Sequence, residues 1–293
     1  MTIIKKFLIL LILIYLSSMI FANNCDVTIN TAQDLRNLSI INKAGRYCLG
    51  ADIDLEGIEF APIYSKSKIV FDGQGHTIKN LTSKNMNYSG GLFNTTYKDI
   101  VIQNLQLINT NISNYLPNSA LIGLSHASVS INNVAITGGN IICQSHYCGS
   151  FIGFSSGDVK ITSSYSSINI TAASAEAAQI GGFIGASFNQ AYSLGSGTIS
   201  HSYFSGSIKS NPNVSIQALI GNSLQYQWTC SNSYWDKDNI NTFSSTICPD
   251  GGRSSKEMQT ESTYANWNFT NIWVIDPTLN NGYPYLKEFA RNY

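Results

Sequence analysis

Gly181-Gly182-Phe183-Ile184-Gly185 is the stretch that decides the fold. Its pattern, small residues followed by two apolar residues and usually a glycine, also appears in Gly90-Gly91-Leu92-Phe93-Asn94, Ser119-Ala120-Leu121-Ile122-Gly123, Gly149-Ser150-Phe151-Ile152-Gly153 and Gln217-Ala218-Leu219-Ile220-Gly221. The central residues Leu92, Leu121, Phe151, Phe183 and Leu219 are spaced by 29, 30, 32 and 36 positions. A period in that range marks a solenoid, in which each repeat buries its apolar face only by stacking on its neighbours.

Each unit carries a second strand-like piece. These pieces begin at Ile102, Ile131, Ile161, Ile199 and Cys230. Apolar and polar residues alternate there over short runs bounded by turn formers, which is a strand pattern. The expected architecture is all-β, a coil of short strands paired in parallel with those of the next turn. In the small-apolar-apolar-glycine strand one bulky residue should point inward. Asn104, Asn133 and Asn232, with Ser163 and His201 at the same place, should stack as a ladder at one corner.

The ends differ. Thr31-Ala32-Gln33-Asp34 resembles a capping box opening a helix, with Leu35, Leu38 and Ile41 on one face. This predicts a small helix-containing N-terminal cap, followed by a strand near Tyr47–Leu55. Residues 239–293 should form an irregular C-terminal cap, with a short helix over Lys256–Thr263 and a strand over Phe269–Ile275. The expected division is an export signal over 1–22, the N-terminal cap and first turns over 23–81, the repeats over 82–238 and the closing segment beyond.

The signal is read from Lys5-Lys6, an apolar run from Phe7 to Phe21, and Ala22 as a small residue for cleavage. The run is short for a permanent span, which needs about 20 residues. Export fits the cysteines. Cys25, Cys48, Cys143, Cys148, Cys230 and Cys248 fall into three close pairs, which favours the disulfides 25–48, 143–148 and 230–248 among the 15 arrangements six cysteines allow. Loss of the signal leaves 15 basic and 17 acidic residues, a net charge of −2. Nothing in that balance attracts nucleic acid.

The repeats resemble the GLUG-motif proteins, which include bacterial surface and adhesin-like members. Gly182-Phe183-Ile184-Gly185 is the best copy of the motif, Phe71 to Leu81 resembles the lead-in to the first repeat, and Trp267 to Leu286 resembles the closing unit. Asn94 departs from the pattern by replacing the final glycine, and Ser119-Ala120 and Gln217-Ala218 replace the leading ones. The resemblance implies a right-handed parallel β-helix in a secreted, periplasmic or cell-surface setting, and no enzyme activity by itself.

The chemistry-bearing residues support the same reading. None of the histidines, His76, His126, His146 and His201, lies in a His-Glu-x-x-His zinc-protease motif. Between Ile100 and Trp235 the acidic residues are Asp158 and Glu176 and the basic ones Lys160 and Lys209. Paired carboxylates for glycosidic cleavage are therefore missing from most of the coil. The clusters Asp52, Asp54, Glu56, Glu59 and Asp236, Asp238 read as cap and loop. The expectation is a non-catalytic, cofactor-free binding protein whose partner is a glycan or a host or surface protein. The alternatives are a carbohydrate-active enzyme on the same fold and a structural spacer. Tyr165, Tyr203 and Tyr234 recur at one place in successive repeats. They form either an outward binding stripe or a mutually stacked column, and stacking is the favoured reading.

Overall fold

A computed structural model describes residues 24–84, 87–144, 147–173, 179–188, 195–210, 214–223, 226–240 and 247–293. The export segment over 1–22, His146 and Glu176 lie outside them.

The chain is a parallel β-helix. Among the described residues it forms a long 16-stranded sheet, a 7-stranded second sheet and a 3-stranded third sheet. Each turn of the coil contributes strands to the long sheet and then to the second. The repeat read from the sequence is the register of the structure. In the second sheet Phe93 pairs with Ile122, Ile122 with Ile152, Ile152 with Ile184 and Ile184 with Ile220. In the long sheet Ile102 pairs with Ile131, then Ile161, Ile199 and Cys230. Four of the residues in that column are isoleucine, and the apolar ladder fills the bore of the coil.

Both central apolar residues of each repeat point inward, where one was expected. Phe151 and Ile152 are buried, and so are Phe183 and Ile184. The backbone explains it. The amides of Phe151 and Ile152 both donate to the carbonyl of Phe183, at 2.9 and 3.0 Å. Two successive amides aimed at one acceptor bend the chain, and the strand alternation of side chains is suspended there. The closing glycine has a separate cause. A Cβ on Gly153 would lie 2.6 Å from the Gly123 carbonyl oxygen and 2.9 Å from the Asn118 amide nitrogen, because the preceding arm of the coil crosses close above it.

The corners use left-handed backbone. Asn104, Asn133, Ser163, His201 and Asn232 all have φ between 46° and 57°. Asparagine tolerates this region better than most residues. Asn133 donates to Asn104 at 3.1 Å and Asn104 to Asp72 at 3.1 Å, so part of the expected ladder exists. A second ladder, unread in the sequence, runs from Asn109 to Asn80 at 2.6 Å and from Asn80 to Asp54 at 2.7 Å.

At the start, Thr31 caps the helix Ala32–Arg36, with a complete capping box closed by Asp34. The disulfides are Cys25–Cys48, Cys143–Cys148 and Cys230–Cys248. The closing segment differs from expectation. Residues 254–293 do not sit on the end of the coil but run back along its side as a strap. Ser255 and Tyr283 bond to Asp236 in the last turn, while Arg291 reaches Asp52 and Asn292 reaches Thr77 in the first ones. Within the strap, strand pairing is confined to Trp273–Val274 against Tyr285–Leu286. The cause is composition: the strap is rich in aromatic residues, and Ala135, Tyr165, Tyr203 and Tyr234 on the outside of the coil receive them.

Candidate functional site

That column contains the tyrosines singled out by the sequence. Thr77, Gln106, Ala135, Tyr165, Tyr203 and Tyr234 follow one another in register on the outer face of the long sheet. The outward direction is as drawn from the alternation, but the stripe is not a surface. Tyr165 and Tyr203 are 0% exposed and Tyr234 is 6%. Met258, Tyr264, Trp267, Trp273, Tyr283, Leu286 and Phe289 of the strap cover them and make a second apolar core. Tyr165 and Tyr203 stack with centroids 5.0 Å apart and planes 8° apart. The Tyr203 hydroxyl donates to the Pro284 carbonyl at 2.5 Å. Covered by the strap, neither ring is open to a ligand, and burial pushes both phenols well above the usual tyrosine value. The Tyr283 phenol is pushed up to about 12, first by burial and then by its bond to Asp236.

Where the strap's edge leaves the coil it forms a cleft of about 550 Å³. One wall is the left-handed corner, with Asn104, Asn132, Asn133 and Ser163; the other is strap, with Asn271, Ile272, Lys287 and Glu288. The corner turns its amide side chains out of the sheet, which is why the wall is lined with carboxamides. Asn133 donates to Glu288, fixing the carboxylate at the rim. Gly75, at φ +75°, lies beneath it, and a Cβ there would come within 3.0 Å of the Glu288 side chain. Glu288 keeps an exposed edge. Its carboxyl is nevertheless raised above the ordinary glutamate value, by partial burial first and by the Asp72 carboxylate second; Asn133 and Arg291 oppose the shift. Lys287 turns away, donating to the Thr270 carbonyl at 2.5 Å.

Asp72 is committed to structure. It is 2% exposed, paired with Arg46, and it accepts from Gln103 at 3.1 Å, Asn104 at 3.1 Å and the Gln74 amide at 3.0 Å. Carboxylates flagged by the sequence are dispersed in the same way. Asp52 accepts from the Thr77 amide at 2.9 Å and lies 3.1 Å from His76 and 3.3 Å from Arg291. Burial raises its pKa, but those three partners outweigh it and the net shift is downward. Asp236 is fully buried and accepts from Ser255 at 2.7 Å, while Asp238 accepts from the Ser255 amide at 2.8 Å. They fasten the start of the strap. Among the described residues no group of three His, Cys, Asp or Glu is placed to hold a metal ion, and no helix is long and apolar enough to cross a membrane. The cleft is suited to hydrogen-bonding a polar ligand through several neutral amides and one poised carboxyl.

No family model matches the chain, and no curated protein matches it. Among solved structures it is similar to the crystal structure of a putative immunoglobulin A1 protease from Bacteroides ovatus, at 16% identity and a TM-score of 0.52. The similarity covers 89% of this chain and 92% of that one. At that identity the likeness is one of fold. It corrects the expectation of a non-catalytic chain: a protein of this architecture is described as a putative protease, so the fold is no ground for excluding catalysis. The three disulfides fit an extracellular or periplasmic setting.

Proposed function

We propose that this chain is a GLUG-type exported protein, released or displayed at the cell surface, that binds a glycan or a host or surface protein through the cleft beneath the strap. The observation that carries the reading is the lining. Asn104, Asn132, Asn133, Ser163 and Asn271 converge on one cavity, with Glu288 at its rim. Carboxamides offer both donors and acceptors, the complement of hydroxyl- and amide-rich ligands. The test is binding of the oxidised protein to immobilised glycans and mucosal proteins, with wild type compared against Asn133→Ala and Glu288→Gln. Weaker binding by both variants supports the cleft; unchanged binding by both removes it from the reading.

A second reading, catalysis, rests on Glu288. Glu288 stands at the rim of the cleft, held by Asn133, and its carboxyl is raised above the ordinary glutamate value, a shift towards the protonated form that a general acid needs. It predicts that wild type releases reducing ends from a glycan, or cleaves the immunoglobulin A1 heavy chain, and that Glu288→Gln does neither. Wild type inert towards both substrates would discard it.

A further inference from the structure

The outer face of the second sheet carries aromatic residues that neither core uses. Tyr64 pairs with Thr95 in register, and Asn94 is the extra residue between the pairs Ile63–Phe93 and Tyr64–Thr95. It is therefore bulged, at the one repeat unit whose closing glycine is replaced. In the next turn Gly123 takes the equivalent place. Bulges re-aim side chains and occur beside binding sites. The Asn94 carboxamide is 3% exposed and accepts from Thr95 Oγ1 at 2.8 Å; its Nδ2 makes no close hydrogen bond among the described residues and has the Tyr64 hydroxyl as its neighbouring partner, so at least one of its two N–H groups lacks an acceptor. An unsatisfied buried donor is costly to retain.

Three tyrosines lie on the adjoining turns, and Tyr64 is next to it. Tyr64 and Tyr88 meet edge to face at 6.4 Å, and Tyr97, 45% exposed, stacks on the exposed His126 at 5.4 Å. Burial, then Tyr88 and Tyr97, raise the Tyr64 phenol, while its side-chain hydrogen bond with Asn94 lowers it. The pairing of Tyr64 with Thr95, and the bond from the Tyr97 amide to the Ser65 carbonyl, set the two ring pairs on adjoining turns of the coil.

We propose that Tyr64, Tyr88, Tyr97 and His126, with Asn94 beneath them, are a subsite for a neutral sugar residue. This rests on the binding function proposed above and places a second contact on another face of the coil. Aromatic faces carry negative potential and attract the weakly positive C–H face of a pyranose. Tyrosine adds a hydroxyl to rigid apolar area at small entropic cost. A sugar hydroxyl entering beside Tyr64 gives the second Asn94 N–H an acceptor.

The experiment immobilises N-acetylglucosamine-terminated, galactose-terminated and sialylated oligosaccharides, together with glycan-free surface proteins. Wild type is compared with Tyr97→Ala, Asn94→Gly and the cleft variant Asn133→Ala. Asn94→Gly restores the residue found in the other repeats, so it keeps the fold. The expected result is binding to a neutral oligosaccharide that weakens at least tenfold in Tyr97→Ala and Asn94→Gly. Binding of wild type that both variants retain overturns the subsite, and its loss in Asn133→Ala would then leave the cleft reading standing. Binding only to the glycan-free proteins, or only to sialylated chains, overturns the sugar assignment. Wild type that binds nothing overturns the subsite and the proposed function together.

Discussion

Replacing Tyr203 tests whether the tyrosine column holds the strap. The ring is fully buried, stacks on Tyr165, and lies 6.2 Å from Tyr283 at 12°. Truncating a buried aromatic side chain to alanine costs about 3–5 kcal/mol. With Tyr203 at the crossing point of the column and the strap, Tyr203→Ala should fall near the top of that range. Tyr203→Phe isolates the hydroxyl. Its loss should cost only about 1 kcal/mol, the size of one hydrogen bond, because Asn280 Nδ2 and the Pro284 carbonyl still bond each other at 2.9 Å. The assay is urea unfolding combined with native-state hydrogen exchange, followed at the Lys287 amide, which donates to Ile272 at 2.8 Å inside the strap. In Tyr203→Ala that amide should exchange far faster while coil amides such as those of Phe151 and Ile152 keep most of their protection. A cost below about 1 kcal/mol for alanine, or a strap amide that stays as protected as in wild type, would refute the reasoning.

Replacing Cys25 and Cys48 together by serine removes a cross-link closing 23 residues and should lower unfolding free energy by about 3 kcal/mol, read from the shift in urea midpoint. Gly153→Ala should cost about 1–3 kcal/mol, because the new methyl meets backbone of the adjoining arm; a neutral effect in thermal unfolding would contradict the packing described. Glu288→Gln should change the pH profile of stability. Since the folded carboxyl is raised, wild type loses stability relative to the variant as pH rises from the unfolded value, about 4.3, through the folded pKa, and the difference then stays constant. Parallel profiles for the two proteins between pH 3 and 8 would argue against the raised carboxyl.

The coil was legible because its information is periodic. The apolar pair of each repeat and the isoleucines that follow have fixed spacing, and the register at Ile122, Ile152 and Ile184 reproduces that spacing. Asn104 and Asn133 were readable as corner residues, whereas the Asn80–Asn109 corner was hidden inside an unbroken β-rich run. The strap was illegible for another reason. Its anchors join residues as far apart as Asp52 and Arg291, and no local pattern encodes such a pairing. The clue that was present is the density of rings from Tyr264 to Phe289, more apolar area than the open end of a narrow coil could bury. The cleft followed the strap into obscurity. Glu288 stands in an ordinary polar tail and becomes notable only when the chain lays it over Gly75 against Asn133. The aromatic group at Asn94 left one trace, the missing glycine of the first repeat.

A free solenoid tolerates gain or loss of a turn, since each repeat is stabilised mainly by its two neighbours. Here the strap measures the coil. It is fastened at Asp236 in the last turn and at Asp52 and Thr77 in the first ones, with the tyrosines spaced to fit between. Inserting or deleting one turn between these ends would change the distance between the two sets of anchors by about 4.8 Å, so that both could not be met at once. The repeat number is therefore fixed by an element outside the repeats, and duplication or excision of a unit, the usual route by which such proteins change length, is closed to this chain unless the strap changes with it.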